Sequence, residues 1–407
     1  MIQLNYTKYC LTLASFFILS SIGFAQLNIQ FNKSITLGAD RIETYLPLLA
    51  NKNIGFCGNQ TSILSNKTHV VDTLLSLKVS VKKIYTPEHG LRGQADAGEK
   101  VASSIDAKTG LPVISLYGKN KKPSPEQLAG IDIMIFDLQD VGARFYTYIS
   151  TLHYVMEACA QQKIPVIVFD RPNPNGFYVD GPVLDTSLRS FVGMHPVPIV
   201  HGMTIGEYAQ MINGEKWIKS NNVCSLTVIS CKNYTHKDYY ELPVNPSPNL
   251  TSMQAIYLYP TTCLLEGTSM SVGRGTNQPF RNIGMPGFRD GDNYFTPVST
   301  TGAKEPKYKN QKCRGIFISD SLVNVFLEGP HIYLPLLAYA YKYSAIKAKF
   351  FTEKGSFNIL AGDKKLKSQI IKASDEFSYH FFYDTWKPQL DKFKLMRKKY
   401  LLYPDYE

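Results

Sequence analysis

Three apolar, strand-like runs in the first half of the chain each end at a carboxylate set among polar residues and glycines. The first run, VKKIYT, leads to Glu88. The second, IDIMIF, leads to Asp137 and Asp140, and the third, IPVIVF, leads to Asp170. In a parallel α/β sheet the carboxyl ends of the strands open on one edge, where ligands bind. We therefore expect these four carboxylates to share one cleft, a layout that suits hydrolysis better than a purely structural role.

Glu88 is the first candidate for a catalytic group. It follows its strand directly, and a proline and a glycine restrict the backbone on either side. A carboxylic acid that is partly desolvated in a cleft retains its proton more readily, as a general acid must. The alternative is a surface glutamate paired with Arg92 or Lys82. His89 and Arg92 are expected to contact substrate, although His89 also fits a simple turn.

The segment FDLQDVGARFYTY, residues 136–148, is too polar to be core alone. Asp137 either takes part in catalysis or fixes the neighbouring loop by accepting backbone N–H groups. Asp140, a further catalytic candidate, could pair with Arg144, or Arg144 could clamp a substrate carboxylate with the two-pronged geometry that guanidinium favours. Tyr146 either lines the same site or merely packs.

Two further loops add candidate groups. The loop DRPNPNG is either a rigid binding wall, because prolines limit the conformations lost on ordering, or a domain-linking turn. Its candidate binding residues are Asp170, Arg171, Asn173 and Asn175. In the glycine-rich segment LLEGTSMSVGRGT, we expect Glu266 to be a second catalytic carboxylate and Arg274 a substrate-binding group, from the other side of an interdomain cleft. The alternative is a purely structural role for this segment.

Several other signatures are missing from the sequence. It contains no GxSxG elbow, no Walker spacing, no GxGxxG after the first strand and no HExxH. Asn59 and Gln60 form a different turn after that strand, and we expect them to bind substrate. We expect no cofactor and no metal; a divalent ion on Asp137 and Asp140 is the alternative.

The elements that must position these residues alternate between strand and helix from residue 40 to about 185. This alternation predicts a Rossmann-like parallel sheet covered by helices on both faces, followed by a second, smaller α+β domain. A helix is expected from Tyr148 to Gln162, and Thr204 with Glu207 predicts a capping box at the start of another. We place the N-terminal domain at 26–185 and the C-terminal domain, which completes the cleft, at 186–407.

The first 25 residues have the pattern of a secretory signal peptide: Lys8, then an apolar segment, then a small-residue site ending at Ala25. We expect an exported chain, periplasmic or secreted, without stable membrane insertion. The net charge is +11, and residues 301–407 carry 19 basic and 11 acidic side chains. Such a surface attracts anionic polymers, of which nucleic acid is the least expected outside the cytoplasm. No CxxC pair signals a zinc site. Cys57 and Cys159 fall in apolar patterns where a buried free thiol acts as a small hydrophobe, so few or no disulfides are expected.

Seven motifs, taken in order, resemble a single family. They are GNQTS (58–62), TPEHGLRG (86–93), FDLQDVGARFYTY (136–148), FDRPNPNG (169–176), DGPVLD (180–185), PIVHGMTIGEYA (198–209) and LLEGTSMSVGRGT (264–276). The family is the exo-β-N-acetylmuramidases of the NamZ type, long known as an uncharacterised domain family. The resemblance runs from about residue 35 to the C-terminus. It implies a glycoside hydrolase that removes N-acetylmuramic acid from the non-reducing end of peptidoglycan fragments, with a Rossmann-like N-terminal domain and a smaller C-terminal one.

The resemblance also implies roles for individual residues. The family's glutamate motif corresponds to Glu88, which is then the general acid. Glu266, Asp137 and Asp140 compete for the second role, unless the N-acetyl group of the substrate replaces a protein nucleophile. Carboxyl groups about 5–5.5 Å apart would predict retention of the anomeric configuration, and about 6.5–9.5 Å inversion.

N-acetylmuramic acid carries a lactyl carboxylate, which would give Arg144 or Arg274 a reason to face the cleft. Two rival hypotheses come from other functional classes. One is a non-catalytic peptidoglycan-binding protein held to the wall by its basic C-terminal region. The other is a serine-dependent or metal-dependent hydrolase of wall peptides or esters, which the missing motifs disfavour.

Overall fold

The computed structural model describes residues 29–88, 90–91, 104–352, 355–373 and 379–407. The predicted signal peptide and two expected substrate contacts, His89 and Arg92, lie outside these residues.

The larger sheet is built from seven described strands. They are β1 (Asn53–Gly58), β2 (Ser80–Thr86), β3 (Ser104–Ile105), β4 (Pro112–Ser115), β5 (Ile133–Asp137), β6 (Val166–Phe169) and β7 (Leu226–Ile229). Their spatial order is β3-β4-β2-β1-β5-β6-β7, and all neighbours are parallel except β3, which pairs antiparallel with β4. Every residue of β5 and β6 is buried, as expected for central strands of a parallel sheet covered on both faces.

Helices cover the sheet and build the rest of the molecule. They are α1 (Ile42–Tyr45), α2 (Val70–Ser76), α3 (Pro125–Leu128), α4 (Tyr148–Gln162), α5 (Ile205–Gly214), α6 (Met253–Thr262), α7 (Asp320–Glu328), α8 (Pro335–Tyr343), α9 (Ser356–Ala361), α10 (Leu366–Lys372) and α11 (Tyr379–Lys398). Short 3-10 helices occupy Gly38–Asp40, Leu46–Leu49, Thr186–Leu188, Cys263–Gly267 and Lys347–Lys349.

Two helix predictions are confirmed in detail. Helix α4 spans the predicted residues and ends where Lys163 adopts the left-handed conformation. The predicted capping box starts α5: Glu207 N donates to Thr204 Oγ1 at 3.2 Å, and Thr204 N donates to Glu207 Oε2 at 2.9 Å. Both signals are local, so a single sequence is enough to reveal them.

A second, smaller sheet lies in the C-terminal part of the chain. It comprises β8 (Asn282–Met285), β9 (Asn293–Phe295) and β10 (Cys313–Phe317), antiparallel in the order β8-β10-β9, with helices alongside. The predicted fold class, an α/β sheet with a second, smaller domain, is therefore confirmed. The predicted boundary at residue 185 falls between two paired strands of the large sheet, β6 and β7, and stays a prediction.

Two chemical features of the described residues bear on the sequence analysis. Six cysteines are buried and free: Cys57, Cys159, Cys224, Cys231, Cys263 and Cys313. Among the helices that the structure describes, none combines the length and the apolar character that a membrane crossing requires.

Candidate active site

The polar residues after β1, β2, β5 and β6 lie at the same edge of the large sheet, because these strands are parallel neighbours. Within this edge the side chains fall into two groups. An inner layer is buried behind the strand ends and consists of Asn59, Asp137, Arg144, Asp170, Arg171, Asn173 and Asn175. A second group, called the outer wall, contains the partly exposed Glu88, Glu266 and Arg274 and the buried tyrosine rings Tyr146, Tyr148 and Tyr259.

Asp137 and Arg171 form a buried, bidentate ion pair in the inner layer. Arg171 Nε donates to Asp137 Oδ1 at 2.6 Å and Nη2 donates to Oδ2 at 2.9 Å, and both residues are at most 2% exposed. Arg171 Nη2 also donates to the carbonyl oxygen of Ile63 at 3.0 Å. Both carboxylate oxygens of Asp137 are thus engaged inside the protein by the Arg171 side chain, and not by the backbone N–H groups of its predicted loop-fixing role. Its predicted catalytic role gains no support from this arrangement.

Asp170 joins the sheet to α5 and to the C-terminal segment. Its Oδ1 accepts from Arg171 N at 3.0 Å and Gly206 N at 2.8 Å. Its Oδ2 accepts from Thr204 Oγ1 at 2.7 Å and Tyr403 Oη at 2.6 Å. Burial raises the pKa of Asp170 to about 6, against these hydrogen bonds, which lower it. With no exposed surface, Asp170 holds segments of the fold together and presents no atom to a ligand.

Asn173 and Asn175 fix the loop that follows β6 from the inside. Asn173 Oδ1 accepts from Asn175 N at 2.8 Å, and its Nδ2 donates to the carbonyl oxygen of Met203 at 2.9 Å. Asn175 Nδ2 donates to the carbonyl oxygens of Val141 and Ile256 at 2.9 and 3.1 Å. Both side chains are at most 2% exposed. The loop is therefore a rigid, internally bonded turn, and neither amide faces the cleft.

Arg144 is fully buried and donates to backbone carbonyls alone among the described residues. The acceptors are Pro182 (2.8 Å) and Val197 (2.7 Å) for Nη1, and Leu360 (3.1 Å) and Ala361 (2.6 Å) for Nη2. Burial lowers its pKa to about 9. The predicted ion pair with Asp140 is wrong, because the guanidinium instead ties the DGPVLD segment to α9. The same placement keeps Arg144 from a substrate carboxylate.

Asp140 is a buried carboxyl group with one oxygen left unbonded. Its Oδ1 accepts from Gly142 N at 2.7 Å, while Oδ2 has no hydrogen-bond partner among the described residues. Burial raises the pKa of Asp140 to about 7, although backbone hydrogen bonds oppose the shift. His201 Nε2 lies 3.8 Å from Oδ1, and burial lowers the pKa of His201 to about 3. Asp140 can therefore exchange a proton near neutral pH, although only 5% of it is exposed.

Glu88 lies half-buried at the end of β2, beside the start of α4. Thr147 Oγ1, at the residue that caps α4, lies 3.4 Å from Glu88 Oε2. The phenol oxygen of Tyr148 accepts from Asn59 Nδ2 at 2.6 Å. Burial is the main cause that raises the pKa of Tyr148, and the charge of Glu88 raises it further. Glu88 thus lies against a wall of neutral hydroxyl groups, and Asn59 supports that wall from behind.

The carbonyl oxygen of Pro246 accepts hydrogen bonds from three side chains, two of which belong to the outer wall. Tyr146 Oη donates to it at 2.6 Å, Tyr148 Oη at 3.3 Å and Gln60 Nε2 at 3.3 Å. Gln60 therefore contacts the loop LPVNPSPNL, which the sequence marks only as rich in turns. The two tyrosine rings meet edge to face with centroids 4.7 Å apart, so Tyr146 both packs and lines the wall.

Tyr259 of α6 connects this wall to Glu266 and Arg274. Its ring lies edge-on to Tyr146 at 6.0 Å and to Phe280 at 5.0 Å, and the Arg274 guanidinium lies 5.0 Å from the centre of the Phe280 ring. Arg274 Nε and Nη2 donate to Glu266 at 2.5 and 3.0 Å. Sequence reasoning missed Tyr259, because an aromatic residue in an apolar helix is usually core.

The Glu266 carboxylate differs from Asp140 in its favoured charge state. Burial opposes the ionisation of Glu266, yet the Arg274 guanidinium outweighs it and lowers the pKa of this carboxyl group. Their side chains remain 28% and 22% exposed. Catalytic acid and base roles require carboxyl groups whose environments shift their pKa values in opposite directions. No group of three or more His, Cys, Asp or Glu side chains in the described ranges is arranged to hold a metal ion.

The fold and site define an α/β protein with a carboxylate-bearing cleft at the carboxyl ends of its parallel strands. Comparison with known proteins makes the class specific. Residues 54–254 match the family model described as exo-β-N-acetylmuramidase NamZ, N-terminal, and residues 257–403 match its C-terminal counterpart. The chain therefore belongs to the NamZ family of exo-β-N-acetylmuramidases.

Individual relatives agree with this membership. The chain is 38% identical over 383 residues to the peptidoglycan β-N-acetylmuramidase NamZ of Bacillus subtilis (strain 168), covering 89% of this chain and 90% of that one. A crystal structure of a DUF1343 family protein from Bacteroides fragilis NCTC 9343 superimposes with a TM-score of 0.82 at 43% identity. A second protein of that family and organism gives 0.73 at 28%. Each covers 91% of this chain and 99% of its own.

Proposed function

We infer that this protein is an exo-acting glycoside hydrolase that removes terminal β-1,4-linked N-acetylmuramic acid from the non-reducing end of peptidoglycan fragments, in cell-wall degradation or recycling. One observation carries the inference. The similarity to a relative named as a peptidoglycan β-N-acetylmuramidase spans nearly the whole of both chains, so it includes both the strand-end motifs and the Glu266 segment.

We propose Glu88 as the general acid. In hydrolysis the bond between the anomeric carbon and the glycosidic oxygen breaks, the leaving oxygen takes a proton from the acid, and water adds to the anomeric carbon. Glu88 is half-buried at the outer wall, so its carboxyl group can reach a bound sugar, whereas Asp137 and Asp170 are fully buried. The hydroxyl of Thr147, 3.4 Å away, helps to orient it.

Glu266 is the preferred second carboxylate in this proposal. Its side chain is more exposed than Asp140, and Arg274 favours its ionised form. A carboxylate that stays charged while a neighbouring acid holds a proton can stabilise the positive charge that develops at the anomeric carbon. Arg274 holds Glu266 through Nε and Nη2, and in this proposal the rest of its guanidinium binds the lactyl carboxylate of the substrate.

A chromogenic N-acetylmuramide tests the proposal. The wild-type protein should cleave it and should release free N-acetylmuramic acid from peptidoglycan fragments. Glu88→Gln keeps the size and the hydrogen-bonding capacity of the side chain but cannot supply the proton. It should lower kcat by about 10²–10⁴-fold, the usual contribution of a general acid, with an unchanged melting temperature.

Glu43→Gln is the matched control, because Glu43 lies on α1 with a side chain that is 69% exposed. It should leave both activity and stability unchanged. Undiminished turnover by Glu88→Gln would exclude Glu88 as the acid. Binding to cell walls without release of sugar by the wild type would favour the rival wall-binding hypothesis instead.

We further propose that the chain is exported and acts in the periplasm or outside the cell. The pattern of residues 1–25 and the location of peptidoglycan outside the inner membrane support this proposal. N-terminal sequencing of the protein recovered from its native host should begin at Gln26. A cytoplasmic protein that retains Met1 would contradict it.

A further inference from the structure

The small antiparallel sheet carries a groove to which the roles proposed for Glu88, Glu266 and Arg274 assign no function. Its volume is ≈ 570 Å³, within the roughly 300–1,000 Å³ typical of ligand sites. Gly275, one of its lining residues, is the chain neighbour of Arg274, so the groove and the outer wall share a loop. The lining residues that matter here are Thr276, Asn282, Asn293, Tyr294, Val298 and Phe317.

Two aromatic rings in the groove are exposed and held in place by cations. Tyr294 is 55% exposed and Phe317 is 38% exposed. Lys312 Nζ lies 4.6 Å from the centre of the Tyr294 ring, and the Arg281 guanidinium lies 4.7 Å from that of Phe317. Arg281 is in turn fixed, since it donates to Asp320 Oδ1 at 2.6 Å. Exposed apolar surface with polar neighbours commonly marks a binding groove.

A row of oriented amides forms the polar part of the groove. Asn293 Nδ2 donates to Asn282 Oδ1 at 2.9 Å, Asn282 Nδ2 donates to Thr276 Oγ1 at 3.2 Å, and Thr276 Oγ1 donates to the carbonyl oxygen of Gly273 at 2.7 Å. Each amide nitrogen carries two hydrogens and uses one of them in this row. The row fixes the direction of every amide before any ligand arrives.

The backbone around the groove is fixed as well. Val298 N donates to the carbonyl oxygen of Gly275 at 2.9 Å. Gly275 has a φ of +80°, and a Cβ there would lie 2.4 Å from the carbonyl oxygen of Val298. This close approach requires glycine, and it joins the loop that carries Arg274 to the wall of the groove.

We propose that this groove binds the sugar chain on the leaving side of the scissile bond, that is, the N-acetylglucosamine and the sugars after it. This proposal rests on the proposed function. An enzyme that removes one terminal sugar must accommodate the rest of the chain beyond the reacting bond. Amino sugars offer apolar C–H faces to Tyr294 and Phe317, and hydroxyl and acetamido groups to Asn282 and Asn293. Lys312 complements the carboxylates that peptidoglycan fragments carry.

Two substrates of different length test the groove. A chromogenic N-acetylmuramide has no sugar on the leaving side, whereas a muramyl tetrasaccharide has three. Tyr294→Ala and Phe317→Ala should each lower kcat/KM for the tetrasaccharide by about tenfold, the loss of one good aromatic contact. Their kcat/KM for the chromogenic substrate should stay within about twofold of the wild type, as for an ordinary surface substitution.

Phe381→Ala is the matched control, because Phe381 is 39% exposed but belongs to α11. It should leave kcat/KM for both substrates unchanged. Tyr294→Phe retains the ring and should restore tetrasaccharide cleavage, which separates a binding role from a folding defect. If an alanine variant melts early, Asn293→Ala replaces it, with the same expectation for the two substrates.

The outcomes distinguish the groove from the proposed function. Wild-type protein that cleaves neither substrate defeats the proposed function, and calorimetric titration with the disaccharide of N-acetylglucosamine and N-acetylmuramic acid then tests the groove alone. Binding that Tyr294→Ala weakens would support it, and absence of binding would overturn it. The groove proposal would also be overturned if the wild type is active and the groove variants keep their full kcat/KM for the tetrasaccharide. Equal losses of kcat/KM on both substrates would overturn it as well.

Discussion

The inner layer and the outer wall occupy the same edge of one sheet, yet they use polar side chains in opposite ways. In the inner layer, Asp137 and Asp170 have no exposed surface, and every carboxylate oxygen accepts hydrogen bonds from the protein. In the outer wall, Glu88 is half-buried, and Glu266 remains 28% exposed beside Arg274. A carboxylate at this edge is therefore a candidate for chemistry only if the fold leaves part of it exposed, because Glu266, like Asp137, has a guanidinium on both oxygens.

Asp140 shares properties with both groups. It is nearly as buried as Asp137, but its Oδ2 has no hydrogen-bond partner in the described part of the chain, and burial raises its pKa to about 7. Asp137, by contrast, has a guanidinium on both oxygens. The difference arises because Arg171, in the loop after β6, reaches Asp137, and a motif alone does not reveal this contact.

The largest effect is expected from removing the inner ion pair. Asp137→Ala leaves the buried Arg171 without its carboxylate, and breaking such a pair costs about 3–5 kcal/mol. The free energy of unfolding in urea should fall by this amount. Asp72→Ala breaks the surface ion pair with Lys108, whose side chain is 64% exposed, and should cost at most about 1 kcal/mol. A loss from Asp137→Ala no larger than that of Asp72→Ala would break the distinction between the layers.

An intermediate, pH-dependent effect is expected at Asp140. Its pKa in the folded protein is about 7, against about 4 in an unfolded chain. The folded state therefore binds more protons between these values, and the contribution of Asp140 to stability falls as the pH rises from about 4 to about 7. Asp140→Asn cannot ionise, so its free energy of unfolding should rise relative to wild type across that window.

The slope of this rise can be at most about 1.4 kcal/mol per pH unit for a single proton. Urea unfolding at several pH values within the window measures it, with Asp72→Asn, at a surface ion pair, as the control. A difference between Asp140→Asn and wild type that stays constant with pH would show that this carboxyl group titrates normally. In that case the buried environment would not favour the protonated form of Asp140.

The smallest effect is expected at Arg274. Arg274→Lys retains the charge beside Glu266 but loses the planar fork that grips a carboxylate at two points. The preference for an N-acetylmuramide over the matching N-acetylglucosaminide, which lacks the lactyl group, should fall about fivefold, equivalent to about 1 kcal/mol. Arg289→Lys, at an exposed residue, should keep the preference. An unchanged preference in Arg274→Lys would remove Arg274 from lactyl recognition.

Local signals predict much of the fold and part of the site. Continuous apolar runs predict β5 and β6, because central parallel strands are buried on both faces, whereas β2 contains two lysines and is fully buried only towards its carboxyl end. Helix α4 and the capping box of α5 follow from periodicity and from two residues three apart. The predicted ion pair between Arg144 and Asp140 is wrong, because Arg144 instead contacts distant segments at Pro182 and Ala361.

The sequence by itself determined the fold class, the family and the placement of the strand-end carboxylates on one edge. These depend on residue order and on periodicities that span a few residues. Only the tertiary structure decided which carboxylates are fully buried and which remain partly exposed, because Arg171 and Tyr403 reach Asp137 and Asp170 through the packing of separate elements. The partial exposure of Glu88 and the burial of Asp137 are therefore properties of the folded chain, since burial and hydrogen-bond satisfaction depend on every neighbour in space.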